Sequence, residues 1–100
     1  MKRSEILATA TELINGDRAQ QYGDAKTTHQ AIEDIVNILY TIQQEEVTAG
    51  RSKGFPPATA AYVFQIATKM VRAARSPRKL DTWIDIAGYA ALAGEAVSDE

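Results

Sequence analysis

"KMVRAARSPRKLDTWIDIAGYAAL", residues 69–92, decides the fold. Before Ser76-Pro77 the apolar residues Met70, Val71 and Ala74 recur at helical spacing; after it almost every residue is apolar or small. Ser76-Pro77 reads as stop and restart, with Ser76 capping and Pro77 in the first turn of the next helix. Two helices joined by so short a break form an antiparallel hairpin. Counting outward from the turn, Arg72 then faces Asp81 and Lys69 faces Asp85. Asp85 is the telling residue, because it lies between Ile84 and Ile86. A carboxylate there must be paired, protonated or holding something, since burying an unpaired charge is costly. Two interhelical ion pairs are the economical answer. A buried pair adds little over an apolar one, so pairs kept in this way tend to mark functional sites.

Upstream of the hairpin the helical period recurs. The third helix is expected over about 57–75, with Val63, Phe64, Ile66, Ala67, Met70, Val71 and Ala74 as its apolar face and a proline at its start. The second is expected from Thr27 or Thr28 to about Ala49, closed by Gly50, with Ile32, Ile35, Val36, Leu39 and Ile42 facing inward and Ile38 widening the stripe. The first runs from an N-cap at Ser4 to Ile14, burying Ile6, Leu7, Ala10, Leu13 and Ile14. It ends at Asn15-Gly16, where a left-handed glycine provides the stop. A polar connector, "GDRAQQYGDAKTT", joins the first two helices. No strand-like alternation or repeat occurs. The expected fold is all-α: a bundle of four main helices in one domain, 1–100.

One hundred residues with a net charge of −2 and 45% hydrophobic content describe a single globular domain, too apolar for disorder. The slightly acidic balance disfavours nucleic acid. The absence of cysteine excludes disulfides and thiolate metal sites. The N-terminal stretch is interrupted by Thr9, Thr11 and Glu12, so it does not read as a signal peptide, and no apolar run is long enough for a membrane span. A Gly/Ala-rich last helix tolerates Gly88 and Gly94, at roughly 1 kcal/mol each relative to alanine, if a neighbouring backbone must come close. A core this small gains from self-association, and a homodimer or larger homo-oligomer is expected through Ile35, Leu39 and Ile42.

Around Asp85 further polar groups gather. Tyr89 is one turn beyond it, and the connector residues Arg18, Tyr22 and Asp24 and the single histidine, His29, are placed to reach one end of the bundle. His29 is a surface or capping residue by the bland reading and a neutral-pH switch by the sharper one. Trp83 reads as core, with a stacking wall for a base or sugar as the alternative. Lys69, Arg72, Arg75, Arg78 and Lys79 read as a solvated basic end, with contact to a phosphate as the alternative. No glycine-rich phosphate loop, HExxH or Ser/His/Asp arrangement is present.

"DRAQQYGD", a helix beginning near His29, "KMVRAARSP" and "DTWIDIAGYAAL" together resemble a family of small phage and prophage proteins over most of the chain from Asp17 to Glu95. That resemblance makes Asp17, Arg18, Tyr22, Gly23, Asp24, Lys69, Arg72, Asp81, Trp83, Asp85, Gly88 and Tyr89 its motif positions. It also implies a site in the cytoplasm of a bacterial host. More distantly, "DIAGYAAL" is similar to the end of an acidic helix in the MazG-type all-α nucleoside triphosphate pyrophosphohydrolases. By that similarity Asp85 matches a Mg²⁺ ligand, with Asp81 one turn before it, and the reaction would be metal-dependent hydrolysis of a nucleotide's phosphate chain. The E-x-x-E of that family's earlier helix has no counterpart. Glu33, Asp34 and Asn37 stand nearest, and Thr82 occupies the first position of the E-x-x-D that would end at Asp85.

The functional expectation is a phage accessory protein that acts on or binds a nucleotide or other phosphate-bearing small molecule. Ligand contacts would come from Arg18, Tyr22, Asp24, His29, Lys69, Arg72 and Tyr89, and Mg²⁺ would sit at Asp81 and Asp85. The alternative, from a different class, is a helical interaction protein that binds a host protein, its charged cluster purely structural.

Overall fold

A computed structural model describes residues 2–16 and 25–99. Among these residues four helices follow in order: α1 (Arg3–Asn15), α2 (Ala25–Thr48), α3 (Ala60–Arg75) and α4 (Leu80–Ser98). No strand occurs among the described residues. The all-α architecture and the four elements are those expected, with ends displaced by a few residues. α3 is the central element, packing against α4 on one side and α2 on the other.

The seam between α2 and α3 holds the core. Ile32, Ala67 and Val71 are buried in contact, and Ala31, Ile35 and Val36 pack around them. All the α2 members of this cluster lie in the N-terminal half of the helix. In the other half Ile38, Leu39 and Ile42 are exposed, against expectation. A 24-residue helix extends about 36 Å, well beyond what the 16-residue α3 can cover. Phe64 and Met70 are likewise exposed. The larger correction concerns α1. Its expected buried stripe is not buried: Ile6, Leu7, Leu13 and Ile14 are all exposed, and the helix contains no buried residue. Periodicity placed those residues on one face correctly, but none of the described helices covers that face.

Helix ends follow local chemistry. α1 begins one residue before Ser4, with Lys2 as N-cap and no side-chain cap bond. Gly16 ends it at φ −100°, not in the left-handed region. The position still calls for glycine, because a Cβ there would stand 2.8 Å from the Glu12 carbonyl oxygen. α2 closes as expected at Gly50, which does take φ +75°. The Gly50 N–H donates to the Val47 carbonyl (3.1 Å) and the Arg51 N–H to that of Glu46 (2.9 Å), the paired bonds of a Schellman ending. The following loop is tied back to α2: the Gln43 side-chain oxygen accepts from the Phe55 N–H, and the Phe55 ring meets Tyr40 edge-on at 5.6 Å. Thr59, buried, donates its hydroxyl to the Pro56 carbonyl and delivers the chain into α3, three residues later than Pro57.

Ser76 does not cap the last helix. It terminates α3, its N–H donating to the Arg72 carbonyl at 2.9 Å, and α4 begins at Leu80 behind Lys79. The intervening turn, 76–79, is short enough to fold α4 back along α3 as the sequence implied.

Candidate functional site at the hairpin seam

The α3–α4 seam brings together the two residues on which the site was expected to turn. Lys69 Nζ lies 2.8 Å from Asp85 Oδ2. Lys69 comes from the face of α3 turned to α4. Asp85 shares the inward side of α4 with Thr82 and Tyr89, which follow the 3–4 spacing of one helical face. The ends of the bridge differ in environment: the lysine side chain is 18% exposed and the aspartate 45%. Asp85 is therefore held by a cation mostly covered by protein and is itself open to solvent on one side. That answers what a carboxylate between two isoleucines is doing. Ile84 points outward and is exposed, Ile86 is half-buried, and Asp85 lies over the seam.

The second expected pair does not form. Asp81 is exposed in the first turn of α4 and makes no ion pair among the described residues. At the helix N-terminus it is well placed for the helix dipole instead. Arg72 is half-buried. Tyr89 is half-buried one turn beyond Asp85. His29 is exposed on α2 and lines a separate shallow groove with Ile32, Glu33, Val36 and Phe64, to which neither Lys69 nor Asp85 contributes. Arg18, Tyr22 and Asp24 lie outside the described residues, as do Asp17 and Gly23.

Trp83 is not core. The residue is 44% exposed, and its indole N–H donates to the Pro77 carbonyl at 2.8 Å. This bond clamps the first turn of α4 onto the 76–79 turn and leaves part of the indole face free. Thr82 was expected only as the residue at the first position of an E-x-x-D, yet at 4% exposure it is the buried residue of α4. It stands where the acidic pattern of the pyrophosphohydrolases would put a first carboxylate, and the seam there is closed. The signal available in sequence was its i−3 spacing from Asp85.

Among the described residues no three of His, Asp or Glu converge to hold a metal, and one Asp85 oxygen is already engaged by Lys69. No buried side-chain nitrogen or oxygen among them lacks a partner. Among the described residues no helix is long and apolar enough to cross a membrane.

The fold and seam define a small all-α protein organised around an ion-paired helical hairpin. The chain belongs to the family described as "Domain of unknown function (DUF6378)", whose model matches residues 5–97. It is also similar to the Gene 55 protein of Mycobacterium phage L5, with 39% identity over 87 residues, 87% of this chain and 49% of that protein. The chain thus spans about half the length of the curated relative it matches. No solved structure matches.

Proposed function

We propose that this chain is a phage accessory protein of the host cytoplasm that binds a nucleotide, or a similar phosphate-bearing small molecule, along the α3–α4 hairpin. The observation that carries the reading is the Lys69–Asp85 bridge, with its covered cation and solvent-facing carboxylate. Such an arrangement fixes a charged side chain in one position without hiding it, as a binding site requires. At the closed end of the hairpin the half-exposed indole of Trp83 supplies a surface on which a base can stack, beside the basic residues Arg75, Arg78 and Lys79. Stacking and phosphate neutralisation together recognise a nucleotide. Mg²⁺ belongs to this reading as an ion carried in with the phosphates, since it is commonly held by substrate oxygens plus one or two carboxylates. Hydrolysis of the phosphate chain is the stronger, MazG-like form of the proposal. The alternative, a host-protein binder with a structural charged cluster, draws on the apolar residues exposed on α2 and α4.

A thermal-shift panel of nucleoside mono-, di- and triphosphates, with and without Mg²⁺ or Mn²⁺, tests it. A ligand that binds only the folded chain raises the midpoint with concentration. The rise is expected for at least one nucleotide and is expected to shrink in Asp85→Asn by more than that variant's own loss of stability. No rise with any nucleotide would reject the reading. Assay of the best binder for released pyrophosphate separates enzyme from binder.

A further inference from the structure

We propose that the outer face of α4 is the docking surface for a second copy of this chain, and that the two α4 helices pack antiparallel about a two-fold axis near Ala87 and Gly88. The protein as a single chain carries too much surface. Its accessible area is 7509 Å², against roughly 5,600 Å² expected for a folded monomer of its mass, an excess of about 1,900 Å². Its radius of gyration, 16.7 Å, likewise exceeds the value of about 13 Å for a compact chain of this length. Permanent homodimers bury about 2,000 Å² or more in total, or at least about 1,000 Å² per copy, which the excess covers.

The outer face of α4 carries part of that area. Between Asp81 and Glu95 the only charged residue of α4 is Asp85, and it is held at the seam by Lys69. The side turned away from α3 presents Leu80, Ile84, Ala87 and Ala91, all exposed, with Ile84 at 57%. A helix apolar on all sides belongs in an interior. α1 is also uncovered and has an apolar stripe of its own, but it carries three charged residues, Arg3, Glu5 and Glu12, in thirteen, whereas α4 between Asp81 and Glu95 bears only the paired Asp85. Gly88 and Gly94 fit the same conclusion. Among the described residues nothing lies within 4 Å of where their Cβ atoms would be, so both glycines leave the helix surface open to a close neighbour.

Charge selects the direction of packing. A parallel pair would set Asp81 beside Asp81 and Glu95 beside Glu95. An antiparallel pair about Ala87 and Gly88 sets Ile84 against the partner's Ala91, a large residue over a small one. It also brings the basic start of α4, Arg78 and Lys79, toward the acidic end with the partner's Glu95 and the partner's Asp99. The patch is then complementary to itself, as a two-fold interface requires.

Light scattering at micromolar concentration is expected to give twice the chain mass of 10.9 kDa, and Ala91→Arg is expected to halve it while keeping the helical circular dichroism. The chain contains no cysteine, so single-cysteine variants give an independent reading that does not depend on a stable monomer. Ala87→Cys, next to the axis, should form a disulfide-linked dimer under mild oxidation far faster than Gln65→Cys on α3. A monomeric wild type, which would mean that α1 or nothing covers α4, overturns the proposal. So does a dimer that survives Ala91→Arg, or cross-linking at residue 87 no faster than at residue 65. Should Ala91→Arg fail to fold, the two cysteine variants decide.

Discussion

Lys69 and Asp85 share a 2.8 Å bridge but not an environment, for the lysine side chain is mostly covered and the aspartate is nearly half open to water. Removing either partner is therefore not equivalent. Asp85→Asn strands an ammonium against the α3–α4 seam, whereas Lys69→Met leaves a carboxylate that water can reach. Breaking a fully buried pair costs about 3–5 kcal/mol, and exposed pairs are worth less than about 1 kcal/mol. Asp85→Asn is expected to cost about 1–2 kcal/mol and Lys69→Met clearly less. Urea titrations of both variants followed by circular dichroism check this, and equal costs would show that the ammonium is not desolvated.

The Trp83 clamp gives a second expectation. Trp83→Phe keeps the ring but removes the N–H that Pro77 accepts, and a lost hydrogen bond of this kind costs about 0.5–1.5 kcal/mol. Trp83 is also the only tryptophan. Its fluorescence should be quenched readily by acrylamide in the folded protein, and a nucleotide stacked on the indole should protect it.

Core and uncovered faces should respond differently to truncation. Ile32→Ala opens space in the α2–α3 core, where Ile32 is 4% exposed, and is expected to cost about 2–4 kcal/mol. Leu7→Ala, on a helix that buries nothing, should stay within about 0.5 kcal/mol. Thermal melts of the two variants side by side make the comparison. A large loss from Leu7→Ala would mean that α1 is packed against something in solution.

Acid should weaken the closing turn of α2. The Arg51 guanidinium, bonded to Glu46 at 2.7 Å, holds that carboxyl below the usual carboxylate range. A depressed carboxylate contributes stability above its unfolded value and loses it as pH falls through its folded value. The melting difference between wild type and Glu46→Gln should thus be present near neutrality and vanish in acid. Both side chains are exposed, so high salt should shrink it as well.

Helical period, the short Ser76-Pro77 break and the stepping of charges about it were enough to read four helices, the hairpin and the Lys69–Asp85 contact. Those features depend on spacing along the chain, which sequence states directly. Burial was not legible in the same way. Ile6, Leu13 and Ile42 sit on apolar faces, but a period identifies a face without saying what covers it. Cap roles were ambiguous for a related reason. Ser76 can serve either neighbouring helix, and the choice depends on backbone angles that the Arg72 carbonyl settles. Trp83 was misplaced because its polar N–H found a carbonyl six residues back, a contact invisible to any face-by-face count.

The brevity of the 76–79 turn also bears on the order in which the chain folds. Contacts across the α3–α4 seam join segments close in sequence, so little loop entropy opposes them, and chains rich in such contacts fold in microseconds to milliseconds. The hairpin is the natural nucleus. α2 must arrive across the longer 49–59 connection, and Ile32 cannot meet Val71 until it has. Variants in the seam should accordingly slow folding, while variants such as Ile32→Ala should chiefly hasten unfolding.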